Sequence, residues 1–143
     1  MSSLIISGIT NHIGNKKQAE RFDAIFVEYK KLIHDMPDIL RGADVSKVYI
    51  GFQFDCAGMP NAVRDIRLDR YSKSGHQLGA DIEVKLVDFL PLDAVGARRM
   101  IPALTIRALE MMNDKFRSRL DVNLAELIGS VKELNLTFEK ADS

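Results

Sequence analysis

Hydrophobic and polar residues alternate with a period of two along two stretches of the chain, and this alternation sets the expected architecture. In Lys47–Cys56, Val48, Ile50, Phe52, Phe54 and Cys56 fall on one side, and Lys47, Tyr49, Gln53 and Asp55 on the other. Such a period marks a strand with one buried and one wet face. Leu78–Leu90 repeats it, with Leu78, Ala80, Ile82, Val84 and Leu86 set against Asp81, Glu83 and Lys85. Between them, Ala62–Tyr71 has only Ile66 and Leu68 as its apolar pair and forms a less marked strand. The linkers Ala57–Asn61 and Ser72–Gly75 are short, which predicts antiparallel neighbours in a three-stranded meander.

Helical spacing takes over elsewhere. From about Lys16 to His34, Phe22, Ile25, Phe26, Tyr29, Leu32, Ile33 and Met36 form one apolar stripe. Asn15 with Gln18 resembles a capping box at its start, and Pro37 ends it. Asp38–Ser46 is a connection with Gly42 and Asp44 as turn residues. After Pro91, Asp93 can cap a short helix through Met100, and Pro102 predicts a kink or a fresh start. A helix then runs to about Arg119, with Ile101, Leu104, Ala108, Leu109, Met112, Phe116 and Leu120 on its inner side. Asp121 reads as the N-cap of a last helix carrying Leu124, Leu127, Ile128, Val131 and Leu134. Leu136 and Phe138 alternate with Asn135 and Thr137, which fits a short final strand. Leu4–Ile6, ended by Gly8, fits an edge strand or one helical turn, and Thr10–Asn15 is turn chemistry. The expected fold is α+β in a single globular domain over 1–143: an N-terminal helix, a three-stranded antiparallel meander, and C-terminal helices packed on one sheet face.

Composition narrows the function classes. The 143 residues contain 20 Lys and Arg against 20 Asp and Glu, a net charge of zero, which argues against a general nucleic-acid binder. A single cysteine, Cys56, makes no internal disulfide and has no zinc-ligand spacing around it. The N-terminus lacks a basic region followed by a long apolar run, and no stretch approaches the ~20 apolar residues of a membrane span. The expectation is a cytoplasmic protein with no membrane partner.

Candidate chemistry is sparse. His12, His34 and His76 lie in separate segments without helical ligand spacing, so neither a metal nor a cofactor is expected. Cys56 with His34 or His76 can be imagined as nucleophile and base. Its place on the face of Phe52 and Phe54 instead suits a small buried hydrophobe. No nucleophile elbow or phosphate loop is present, and no catalytic residue is assigned. Met100, Met111 and Met112 suit core filling, and Arg98, Arg99, Arg107, Arg117 and Arg119 suit a solvated helix flank.

The outward sheet face is the main candidate surface. Parity places Tyr49, Gln53, Asp55, Asp65, Arg67, Asp69, Asp81, Glu83 and Lys85 there. Five acids against two bases can attract and steer a basic partner, although cross-strand charge pairs on a solvated face give the same pattern. Arg64 and Arg70 share the parity of Ile66 and Leu68. They point to the alternative, a small-molecule enzyme or ligand-binding domain with a pocket between sheet and helices. A third possibility is a structural subunit that associates through its helices or a sheet edge.

Val48–Phe54, Asp81–Phe89 and the flanking amphipathic helices, in a small neutral α+β domain, resemble the immunity proteins of bacterial polymorphic-toxin and contact-dependent growth inhibition systems. The likeness spans most of the chain as a pattern and contains no diagnostic motif, so it transfers no residue roles. It implies a cytoplasmic, non-enzymatic toxin inhibitor that binds a cognate toxin domain and blocks its active site.

Overall fold

The computed structural model describes residues 3–11, 16–40, 47–55, 65–72, 77–85, 94–120 and 124–140. Along them lie β1 (Leu4–Asn11), α1 (Lys16–His34), β2 (Lys47–Asp55), β3 (Asp65–Ser72), β4 (Gln77–Lys85), α2 (Ala94–Leu120) and α3 (Ala125–Lys140). His12, Cys56, Arg64, His76, Pro91, Asp93 and Asp121 lie outside the described residues, as do Asn15, the turn pair Gly42 and Asp44, and the linker Ala57–Asn61.

The strands form one four-stranded sheet in the order β1-β2-β4-β3. β1, β2 and β4 run parallel, and β3 alone is antiparallel to its neighbour β4. The expected three-stranded antiparallel meander is overturned: a strand precedes α1, and β4 lies between β2 and β3. Linker length misled because it does not fix neighbours. Skipping one strand needs only about 10 Å, which the 56–64 connection spans easily at about 3.3 Å per extended residue. What decides the order is which strands are apolar. Val48, Ile50 and Phe52 stand in register with Leu78, Ala80 and Ile82, and all six are buried. β3, with Asp65, Arg67, Asp69 and Arg70, is the most charged strand and takes an edge, where unpaired backbone and charge are tolerated.

β1 runs from Leu4 through Gly8 to Asn11, in register from Leu4↔Val48 to Asn11↔Asp55. The reading that left Leu4–Ile6 open, with a turn from Thr10, thus resolves to a longer strand. Parallel pairing with β2 needs a long crossover, and the stretch holding α1 supplies it. Ser3 fastens the start of β1. Its hydroxyl donates to an Asp38 carboxylate oxygen and accepts from the Leu40 N–H at 2.8 Å, while the Val48 N–H donates to its carbonyl at 2.8 Å.

The alternation along β2 holds for the described side chains, with Val48, Ile50 and Phe52 buried and Tyr49 exposed, whereas Leu78, Gly79, Ala80 and Ile82 of β4 are all buried. Their inner residues, with Leu4 and Ile6 of β1, are buried under α1 and α2. α1 contributes Phe26, Tyr29 and Ile33, and the Phe26 ring meets Phe52 edge-on with centroids 5.5 Å apart. Leu32, expected on that stripe, is 37% exposed. Ile101, Leu104, Ala108, Leu109 and Met112 of α2 are buried as expected.

Two helical expectations are corrected. α2 does not restart at Pro102; it is continuous from Ala94 to Leu120 with the proline inside. Proline removes the backbone bond to the carbonyl four residues earlier, and the helix nonetheless continues. Beside the proline, Asn135 Nδ2 of α3 donates to the Pro102 carbonyl at 3.4 Å, and Thr105 Oγ1 donates to the Ile101 carbonyl at 2.9 Å. The final strand at Leu136–Phe138 is likewise absent, since α3 continues to Lys140. Leu127, Ile128, Val131, Asn135 and Phe138 are its buried face. Asn135 is the residue that misleads, because a polar side chain at a core position imitates the wet half of a strand. At the other end, Asn113 Oδ1 of α2 accepts the Leu124 N–H at 3.1 Å, next to the first turn of α3.

Candidate functional site

The register places the sequence-derived surface residues in rows across the sheet face opposite the helices. Ile5, Tyr49, Gly79 and Arg70 form one row, and Ser7, Gly51, Asp81 and Arg67 the next. Ile9, Gln53, Glu83 and Asp65 form the third, followed by Asn11, Asp55 and Lys85. Ser7 is exposed and Tyr49 is 37% exposed, while Ile5 and Gly51 are half-buried and Gly79 is buried.

These rows sort the charges more finely than parity does. Arg67 stands opposite Asp81, and Asp55 opposite Lys85, each a complementary pair of positions. Asp65 stands opposite Glu83. Like charges at directly opposed positions are unfavourable, because the Cβ atoms of such a pair are ~4.5–5.5 Å apart. The acidic excess therefore resides in one row, beside Gln53 and two rows from Tyr49.

β3 carries an irregularity that parity cannot foresee. Arg67 pairs with Asp81 and Arg70 with Gly79, so three steps along β3 match two along β4. An extra residue of this kind reverses which face later residues occupy. Arg70 thus takes a register position in the row of Tyr49 and Gly79, out of the parity that Asp65, Ile66 and Arg67 follow. Asp69 falls within the irregular step and has no register partner.

The ionisable groups that the helices bury, Arg98 and Tyr29, each have hydrogen-bond partners on neighbouring helices. Arg98 of α2, expected on a solvated flank, is 5% exposed. Its Nη1 and Nη2 donate to the two carboxylate oxygens of Glu28 at 2.9 and 3.0 Å. Its Nε and Nη2 donate to the Phe138 carbonyl at 3.1 and 3.0 Å, and its Cζ lies 4.0 Å from the Phe138 ring centroid. One guanidinium thus joins α1, α2 and the last turns of α3. Hydrogen bonding to Arg98 holds the half-exposed Glu28 carboxyl below the usual range. Tyr29, fully buried on α1, donates its hydroxyl to Asn135 Oδ1 at 2.7 Å. Burial raises its pKa far above the usual phenol value, outweighing hydrogen bonds with Thr105 and Asn135. Its ring packs edge-on against Phe138 with centroids 5.0 Å apart. Neither group lines an open site suited to proton transfer.

His34 Nε2 accepts the Ile6 N–H at 3.4 Å, which occupies the histidine at the edge strand β1. Among the described residues, no three His, Cys, Asp or Glu side chains gather to hold a metal ion. Met112 is buried and Met100 packs partly buried against the core, the filling role expected of them. Among the described residues no helix is long and apolar enough to cross a membrane. Two contiguous depressions, of about 320 and 500 Å³, run along the outside of the α2–α3 pair and share Lys132. Periodicity did not single them out, because residues on an exposed helix face carry no apolar repeat.

No known family model matches the chain, and comparison with curated proteins and with solved structures finds no similar one.

Proposed function

We propose that this chain is a non-catalytic protein-binding domain that engages its partner through the helix-free face of the sheet. The supporting observation is the register that sets Asp65 opposite Glu83 in a row with Gln53, on the same face as the exposed Tyr49. A Lys or Arg from a partner relieves the opposition of two acids, and an exposed tyrosine gives the apolar area and hydroxyl that interfaces favour. In its specific form, following the resemblance, the domain is a cytoplasmic immunity protein and the partner a toxin domain with a basic active-site rim.

The test is affinity capture from lysate of the source cells with two baits, the wild-type chain and Tyr49→Lys with Glu83→Lys. The reading expects one stoichiometric protein, retained by wild type and lost by the variant, with capture weakening as salt rises. For the immunity form, that protein arrests growth when expressed alone and ceases to do so when this chain is co-expressed. A protein retained equally by both baits removes the sheet face as the interface, and an empty capture at low and moderate salt removes the protein-binding reading.

A further inference from the structure

We infer that the outer groove between α2 and α3 is a second docking surface, and that its occupant is a basic amphipathic helix of another protein. The inference stands independently of the sheet-face reading, since it uses none of the same residues.

The first observation is a glycine that the fold does not require. Gly129 lies inside α3 at an exposed position, and a Cβ built on it meets nothing within 4 Å. Glycine weakens a helix interior relative to alanine, and among the described residues no contact explains its presence. Absence of a side chain is useful where another backbone must come close, and Gly129 lines the groove with exposed Ala125 one turn earlier.

The second observation is the apolar end of the same groove. Ala103 and Ile106 of α2 face Leu136 of α3 there, and Leu136 is 57% exposed. An apolar patch of this kind, continuous with a close-approach position, matches the apolar stripe of an incoming helix. From Ala103 to Asp114 the groove follows about 16 Å of α2, the length of about three helical turns.

The rim fixes the charge of the occupant. Among the described residues that line the groove, Glu110, Asp114 and Glu139 stand against one base, Lys132. A helix with Lys or Arg flanking its apolar stripe complements three acids against one base, whereas an acidic helix is repelled. The same rim, presented by a second copy, opposes self-association through this face.

The experiment is selection from a displayed library of amphipathic helices, each about 18 residues and randomised at the flanking positions, on the intact chain. Recovered helices are expected to carry Lys or Arg beside the apolar stripe. They should bind wild type and Tyr49→Lys alike, and lose at least about tenfold in affinity to Gly129→Leu and to the Glu110→Lys, Asp114→Lys double variant. Gly129→Leu fills open space on an exposed helix face and should keep the wild-type circular dichroism spectrum; Gly129→Ala serves as a milder second variant. Recovery of no helices, of acidic or uncharged helices, or of helices that bind Gly129→Leu as well as wild type overturns the inference. Sedimentation that shows a wild-type dimer dispersed by Gly129→Leu overturns it too, by assigning the groove to a second copy.

Discussion

Tyr29 and Arg98 each bond to more than one helix, and single-atom changes at them should be felt across the helical layer. Tyr29→Phe leaves the buried Asn135 carbonyl without its donor, an unsatisfied group that costs about 1–3 kcal/mol. Urea unfolding should show that loss without a change in slope. Alkaline titration gives the same residue a second readout. The folded pKa of Tyr29 lies above its unfolded value, so its contribution is complete below about pH 10 and is lost as pH rises beyond it. Tyr29→Phe should flatten that alkaline decline. Arg98→Lys keeps the charge but not the fork that serves Glu28 and the Phe138 carbonyl together, and should cost about 1–2 kcal/mol. Glu28 has the opposite linkage. Its folded pKa is depressed, so its contribution is present above the ordinary carboxylate range and is lost as pH falls through the folded value. Because Glu28 is half exposed, the gap between wild type and Glu28→Gln should be under about 1 kcal/mol near neutrality and close in acid. None of these partners was legible in the sequence. A polar residue at a buried helical position, such as Asn135 or Arg98, is indistinguishable by type from a solvated one until the opposing helix is known.

At the level of elements, strand and helix positions were readable wherever one period dominated, as in β2, β4 and α1. Legibility failed where two signals competed. Gly8 reads as a terminator, yet its backbone belongs to a ladder with Phe52. Pro102 reads as a break, yet α2 passes through it in the company of Asn135 and Thr105. α3 offers the clearest elemental test. Gly129 has open space around its missing side chain, so Gly129→Ala should stabilise the fold by up to about 1 kcal/mol. Thermal unfolding should then move up by about 2–5 °C. A melting temperature that falls instead means that the position carries a constraint within the fold, and the close-approach argument for the groove fails with it.

At the level of the whole molecule, the strand order can be tested without another structure. In a Cys56→Ala background, Tyr49→Cys with Gly79→Cys places two thiols on adjacent parallel strands in register, at a Cα spacing of about 4.8 Å that a disulfide can bridge. Tyr49→Cys with Arg70→Cys spans two strand spacings, about 10 Å, and should stay reduced under the same mild oxidation. A meander, with β3 between β2 and β4, puts Tyr49 and Gly79 two strand spacings apart and predicts that this pair stays reduced. Order was the part of the fold least legible in the sequence, because periodicity describes each strand's faces and says nothing of its flanks. The same order governs the timing of assembly on the ribosome. β4 is the last strand synthesised and the one that joins the other two parts of the sheet. At about 5–20 residues per second, β2 waits a few seconds between its own completion and the arrival of residue 85. During that interval the backbone edge of β2 that later pairs with β4 has no neighbour, so a chain stalled before Gln77 is a natural client for a ribosome-associated chaperone.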